Sequence, residues 1–126
     1  MHIAIAYLEQ QKFDQAAPLL EILSNDNNTL AQLLYAQLNF TGRGHPQHFE
    51  KAFFWALSAF LGGQRKAAPL AVKLRKFISK EAQRTITNDL RVILGERAFA
   101  GDILAISQLA TWYYALAEPA ELDQTY

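Results

Sequence analysis

The stretch NFTGRGHPQHFEKAFFW, residues 39–55, places two glycines, two histidines and an aromatic run between two helical segments. Gly42 and Gly44 would cradle a phosphate only between a strand and a helix with a following lysine, and this stretch has neither. The glycines therefore predict an interhelical turn with positive φ angles. His45 and His48 have too few neighbouring ligands for a metal site, so we expect His48 to cap the next helix or to lie in solvent.

Apolar residues recur at helical spacing along almost the whole chain on both sides of this stretch. Alanine and leucine are frequent and valine is scarce, which favours helix over sheet. We expect an all-α fold of about seven helices. Asp14, Thr29 and Ser79 are the expected N-caps, the fourth helix is expected near 47–61, and the fifth is expected near 66–77.

The bulk properties describe one ordinary domain. The 126 residues are enough to bury a core without disulfides, and there are no cysteines. Lysine plus arginine equals aspartate plus glutamate at 12 each, so there is no general attraction to nucleic acid or anionic membranes. No apolar run approaches the roughly 20 residues that span a bilayer, and the start lacks the regions of a signal peptide. We therefore expect no membrane insertion.

A weak internal repeat runs through the helices. The pattern large-small-x-x-large places its small residue at Ala4, Ala36, Ala71 and Ala110, which are separated by 32, 35 and 39 positions. A small residue lets a partner helix approach closely while large neighbours fill the groove beside it. Helix pairs of this kind expose apolar faces that the next pair covers, so the repeat predicts a stacked array.

The opening stretch and the helix before it resemble the Sel-one-like repeat, a relative of the tetratricopeptide repeat. The matching positions are Ala31, Tyr35, Ala36, Gly42, Gly44, Lys51, Ala52 and Trp55. The sequence departs from the family pattern at Ala36, where a glycine is usual, at Asn39, where a tyrosine is usual, and at His48, where an aspartate is common. Residues 101–126 resemble the start of another unit.

The resemblance implies a right-handed α-α superhelix, or solenoid, of about three and a half helical hairpins. The single domain 1–126 divides into repeats at approximately 1–28, 29–63, 64–100 and an incomplete 101–126. Because Tyr126 falls where the second helix of the last unit should begin, we expect the chain to be a fragment of a longer array, with a terminal cap made by residues 116–126 as the alternative. The family also suggests a bacterial source, with the cytoplasm as the favoured compartment and the periplasm as the alternative if a leader has been removed.

Residue patterns for catalysis are missing. Acid–base chemistry needs carboxylates that converge in a cleft, whereas those of this chain are scattered at helix ends and polar faces. The serines lack the sequence context of a nucleophile elbow. We expect no catalytic residue, no metal site and no cofactor, and hence a protein that is not an enzyme.

The resemblance implies that the first helix of each repeat faces a concave groove. The residues placed on that face are Leu8, Glu9, Gln37, Phe40, Ser107, Thr111 and Tyr114. Aromatic anchors among amide and hydroxyl groups suit a peptide or partner protein. We therefore expect a protein–protein interaction scaffold that binds its partner in the groove, although inter-repeat packing explains Phe40 and Tyr114 equally well.

Two other functions remain open. An apolar C-terminal edge made by Trp112, Tyr113 and Tyr114 would let the chain dimerise or self-assemble. A nucleic-acid-binding helical repeat would use the basic residues Arg65, Lys66, Lys73 and Arg75. This second alternative is not favoured, because such a run is usually a solvated face and has no interleaved aromatics for base stacking.

Overall fold

The computed structural model of the chain describes residues 1–44 and 46–113, and in these ranges it contains seven α-helices and no strand. The helices are α1 (His2–Glu9), α2 (Phe13–Asn25), α3 (Thr29–Thr41), α4 (Phe49–Leu61), α5 (Ala67–Leu74), α6 (Lys80–Phe99) and α7 (Ile103–Thr111), with a short 3-10 turn at Arg75–Phe77. The predicted all-α class and the predicted number of helices are confirmed.

Side-chain caps fix the starts of several helices. Ser79 is the predicted N-cap of α6, and its Oγ accepts from the backbone N–H of Ala82 at 3.0 Å. The prediction for α3 is wrong by one residue, because Asn28 caps it through Oδ1, which accepts from the N–H of Ala31 at 3.0 Å. Asparagine is a stronger cap than threonine, so the helix is capped one residue before Thr29.

The start of α2 also differs from the prediction. The helix begins at Phe13 after Lys12, so Asp14 lies inside the first turn instead of capping it. Its carboxylate is still favourable there, because it faces the positive end of the helix dipole. Pro18 consequently lies in the second turn, where its missing N–H removes one helical hydrogen bond.

The fourth and fifth helices are shorter than the sequence predicts. The backbone of His48 is extended, with φ −147°, so α4 begins at Phe49 and not at residue 47. The α-helical part of the fifth helix ends at Leu74 and tightens into the 3-10 turn. This turn leaves Phe77, which helical spacing would place inward, 50% exposed.

Helix α4 lies at the centre of the fold. It packs against α3, α5, α6 and α7, in agreement with the apolar residues on all its sides. Its alanines are fully buried and allow close approach of the neighbouring helices. The main core joins α4 to the other four helices, with Phe53 from α4, Ala36 from α3, Leu74 from α5, Leu90 from α6 and Ala105 from α7.

A second core joins α1, α2 and α3. It contains Ala4, Leu20 and Tyr35, and the indole of Trp55 packs against it from α4. Tyr35 and Trp55 meet edge to face with ring centroids 6.3 Å apart. Helical spacing predicts Trp55 as a core residue, but it is half-buried, because it bridges the two cores at the boundary between them.

The small residues of the repeat pattern do not all behave alike. Three of them are buried, namely Ala4, Ala36 and Ala71. Ala110 is exposed, which contradicts the pattern at that position. The buried face of α7 carries Ala105 and Gln108 instead, and α7 packs on α4 and α6.

The region from α5 to α7 departs from a simple series of hairpins. α6 is 20 residues long and is the longest helix of the described ranges. It packs mainly on α4 and α7, whereas α5 packs mainly on α4. Within the described ranges, no helix combines the length and the apolar character that crossing a membrane requires.

The turn between α6 and α7 is held by one ion pair. Asp102 caps α7, with Oδ1 accepting from the N–H of Ala105 at 3.2 Å. Its Oδ2 accepts from Nε of Arg97 at 2.9 Å. The hydrogen bond from Arg97 lowers the pKa of the Asp102 carboxyl below its usual value.

Candidate functional site

The glycine turn after α3 is built as the sequence predicts. Gly42 ends α3 in the left-handed conformation with φ 77°. Gly44 has φ 66°, and a Cβ on it would lie 2.2 Å from the carbonyl carbon of Phe13. The chain therefore crosses the first turn of α2 at backbone contact distance, which only a glycine permits.

Of the two histidines next to this turn, the structure describes only His48. His48 caps α4 as expected, since its Nδ1 accepts from the N–H of Lys51 at 3.1 Å. The backbone N–H of His48 donates to the carbonyl of Asn39 at 2.8 Å, which joins the end of α3 to the start of α4. His45 lies outside the described residues. In the described part of the chain, no three His, Asp or Glu side chains converge as metal ligands.

One face of α3 forms the floor of a surface groove, which we call the α3 groove. Its first half, about 400 Å³, is lined by Leu8, Phe13, Leu34, Gln37, Leu38, Thr41 and Arg43. Its second half, about 500 Å³, is lined by Leu30, Leu33, Leu34, Gln37, Gly63, Gln64, Arg65 and Lys66. Because Leu34 and Gln37 line both halves, the two halves adjoin each other along α3.

The α3 groove has an apolar floor and basic ends. Leucines of α1 and α3 form the floor, and Gln37 is exposed at the point where the two halves meet. Arg43 lies at one end, with its guanidinium carbon 5.2 Å from the centroid of the Phe13 ring. Arg65 and Lys66 lie at the other end, and the described lining includes no carboxylate. The groove therefore offers apolar contact in the middle and positive charge at both ends.

The structure brings together two of the residues that the sequence places on the binding face. Leu8 and Gln37 both line the α3 groove. Glu9 is exposed at the last position of α1. Ser107 and Thr111 lie one turn apart on α7, where Thr111 Oγ1 donates to the carbonyl of Ser107 at 3.1 Å.

Phe40 does not line the α3 groove. Phe40 is half-buried and packs against Phe49 and Phe77, with ring centroids 6.0 and 5.7 Å away. Nζ of Lys73 lies 5.6 Å from the centroid of the Phe40 ring. Phe40 therefore belongs to an aromatic cluster that joins α3 to α4 and to the 3-10 turn. Tyr114 lies outside the described residues.

The sequence predicts an apolar edge at the C-terminal end, and this prediction is wrong for Trp112. Trp112 is only 6% exposed, because it packs into the main core with Ala105 and Leu94. Tyr113 is 50% exposed, and Tyr114 falls outside the described ranges. The position of Trp112 leaves little of its ring for a partner copy.

A charged network links the three helices around the α3–α4 hairpin. The hydroxyl of Tyr35 donates to the carboxylate of Glu21, and Nζ of Lys51 lies 3.4 Å from the same carboxylate. Burial raises the pKa of the Tyr35 hydroxyl, and the Glu21 carboxylate raises it further. Burial alone would lower the pKa of Lys51, but its interactions with Tyr35 and Glu21 outweigh burial and raise it. The network keeps Lys51 charged next to the Tyr35 ring.

A buried polar chain crosses the core, and sequence reasoning missed it. Gln32 Nε2 donates to the carbonyl of Ser24 at 3.1 Å, and Ser58 Oγ donates to Gln32 Oε1 at 2.8 Å. Gln108 Nε2 then donates to the carbonyl of Ser58 at 3.2 Å. The chain ties α2, α3, α4 and α7 together, which fixes their relative positions since buried polar groups need their partners.

Sequence reasoning also missed most of the groove lining. Leu30, Leu33, Leu34 and Leu38 have the spacing of a core stripe, which predicts burial for all four. Leu33 and Leu38 are buried, while Leu30 and Leu34 keep part of their surface open to the groove. Periodicity identifies the apolar face of a helix, but it does not distinguish a covered part from an open one.

Comparisons of this chain with protein-family models, with curated proteins and with solved structures find no match.

Proposed function

We propose that this chain is a non-catalytic protein–protein interaction scaffold that binds a peptide segment of a partner protein in the α3 groove. The observation that carries the proposal is that two adjoining depressions along α3 share Leu34 and Gln37 and together have a leucine floor and basic ends. Concave apolar surfaces with a few polar groups at defined points are typical of binding sites. Peptide-binding proteins commonly use such grooves.

The groove also suggests the size of the ligand. α3 has 13 residues, so at 1.5 Å per residue the groove floor is about 20 Å long. An extended peptide advances about 3.3 Å per residue, and about six residues would fill it. The best ligand has apolar residues in its centre, against Leu34, and carboxylates toward its ends, near Arg43 and Lys66.

We also propose that the fold is a right-handed α-solenoid of Sel-one-like repeats, at 1–28, 29–63, 64–100 and 101–126. In support, Ala36 and Ala52 of the repeat pattern are both buried in the main core. Trp55 packs on Tyr35, and Gly44 lies against the first turn of α2. These contacts join three consecutive helices, which is the role that stacking requires of repeat residues.

The test uses a displayed library of random peptides selected on the wild-type chain. Gln37 is exposed in the middle of the groove, so Gln37→Trp fills it without disturbing the core. The matched control is Gln15→Trp, at an exposed position of α2. We expect Gln37→Trp to weaken the selected peptides at least about tenfold and Gln15→Trp to leave them unchanged. If the selected peptides bind the two variants with equal affinity, the α3 groove is not their binding site.

The two alternative functions have specific tests. Nucleic-acid binding through Arg65, Lys66, Lys73 and Arg75 predicts a gel shift at low salt, where phosphate contacts are strongest, and the absence of any shift would exclude it. Self-assembly through Tyr113 predicts a molecular mass in light scattering that rises with concentration. A constant monomeric mass would exclude self-assembly.

A further inference from the structure

Helix α6 presents a line of exposed cations outside the α3 groove. Lys80, Arg84 and Arg91 are all exposed. They are spaced four and seven residues apart, so on a helix of 3.6 residues per turn they lie within about 40° of one another. Along the axis the steps between them are about 6 and 10.5 Å. The three charges therefore form a stripe on a single face.

This stripe borders a depression of about 460 Å³ between α6 and the end of α7, which we call the α6 groove. Its lining consists of Lys80, Gln83, Arg84, Thr87, Asn88, Arg91 and Trp112. Arg91 Nη2 donates to Asn88 Oδ1 at 2.7 Å, which holds that guanidinium along the helix. Trp112 supplies an apolar wall that is nearly buried.

The described lining of the α6 groove includes no carboxylate. The acidic residues of α6 are Glu81, Asp89 and Glu96. At 100° per residue Asp89 and Glu96 are turned about 120° or more from every cation of the stripe. Glu81 is a surface neighbour of Arg84 but does not line the groove. The described lining of the groove is therefore positive, although the whole chain has no net charge.

We propose that the α6 groove binds an acidic segment of a partner protein, at a site separate from the α3 groove. Carboxylates one helical turn apart in the partner are about 6 Å from each other, which matches the step from Lys80 to Arg84. The side-chain donors of Gln83 and Thr87 already bond to backbone carbonyls of this chain, so the contacts to the partner's carboxylates come from the cations of the stripe. A protein segment is favoured over a nucleic acid, because Trp112 is too deeply buried to stack on a base.

The test measures fluorescence anisotropy of a labelled Glu-Ala-Ala-Ala repeat peptide about 16 residues long, since shorter helices are marginal in water. A peptide with Gln in place of Glu and an oligothymidine of similar length serve as comparison probes. The variant Lys80→Gln/Arg84→Gln/Arg91→Gln removes the stripe. Its matched control, Lys73→Gln/Arg75→Gln/Lys76→Gln, removes the same charge from exposed residues of α5 and the 3-10 turn.

We expect the acidic peptide to bind the wild type at low salt, and the stripe variant to weaken binding at least about tenfold. The control variant and Gln37→Trp should each change the affinity less than about threefold. The Gln peptide should not bind. Equal losses in the stripe and control variants, absence of binding by the acidic peptide, or tighter stripe-dependent binding of oligothymidine would each overturn the proposal.

Discussion

Replacing Gly44 by alanine should destabilise the protein more than the same replacement at Gly63 or Gly95. A Cβ at residue 44 would lie 2.2 Å from the carbonyl carbon of Phe13 and 2.4 Å from the backbone nitrogen of Asp14. Both are backbone atoms in the first turn of α2, so no side chain can rotate away to make room. The turn after α3 and the start of α2 would have to separate.

The stability lost in Gly44→Ala has two parts. Alanine at φ 66° loses about 1–2 kcal/mol for the left-handed conformation. Overpacking against fixed neighbours adds about 1–3 kcal/mol. The expected loss in the free energy of unfolding is therefore about 2–5 kcal/mol, a large part of the roughly 5–15 kcal/mol that stabilises a typical domain.

Alanine variants at Gly63 and Gly95 allow the conformational part and the steric part to be measured separately. Gly63 has φ 101° and open space where a Cβ would be, so Gly63→Ala should cost only the conformational part, about 1–2 kcal/mol. Gly95 lies inside α6 and also has open space, so Gly95→Ala should stabilise by about 0.5–1 kcal/mol through helix propensity.

Urea unfolding followed by far-ultraviolet circular dichroism measures all three variants. The expected order of stability is Gly95→Ala, wild type, Gly63→Ala and then Gly44→Ala. A Gly44→Ala protein no less stable than Gly63→Ala would refute the close approach between the turn and α2.

The buried, capping and ionisable contacts give three further predictions. Ser58→Ala leaves the buried Gln32 Oε1 without its donor and should lower the free energy of unfolding by about 1–3 kcal/mol in urea; an unchanged midpoint would mean that a water replaces the hydroxyl. Asn28→Ala removes the α3 cap and should lower the free energy of unfolding by about 1 kcal/mol. Asn28→Asp keeps a capping oxygen and should retain most of the stability. Equal losses in the two variants would count against a capping role for Asn28. In the folded protein the pKa of Tyr35 is raised above 10.0 and the pKa of Lys51 above 10.5. The folded state therefore holds these two protons more tightly than the unfolded state. Their contribution to the free energy of unfolding is complete below about pH 10 and is lost as the pH rises through the folded pKa values. Tyr35→Phe should therefore flatten the alkaline fall in stability measured by thermal melting, and an unaltered alkaline fall would contradict this origin.

Local features were the most predictable from the sequence. The helical class, the cap at Ser79, the cap at His48 and the turn at Gly42 each depend on a few neighbouring residues. The errors at Thr29 and Asp14 were displacements of one or two residues, because helix ends are the least sharply specified part of a helix.

The candidate sites were less predictable, because they depend on which surfaces the helices leave uncovered. Leu34 has the same spacing as the core residue Leu38, and only packing shows that it borders an open groove. The cation stripe on α6 is visible in the spacing of its lysine and arginines along the sequence. The apolar wall of the α6 groove is not, because Trp112 directly follows α7 and reaches α6 only through packing. Phe40 illustrates the same limit, because its aromatic partners Phe49 and Phe77 lie on other elements.

The sequence by itself determined that this chain is helical, approximately where its helices lie, and that residues 42–44 form a turn. These properties follow from backbone preferences and from contacts between residues a few positions apart. The tertiary structure alone decided the polar chain through Ser58, whose partners Gln32 and Gln108 are 26 and 50 positions away. It also decided which apolar and basic faces remain open, because a face is covered or exposed only when distant helices pack together.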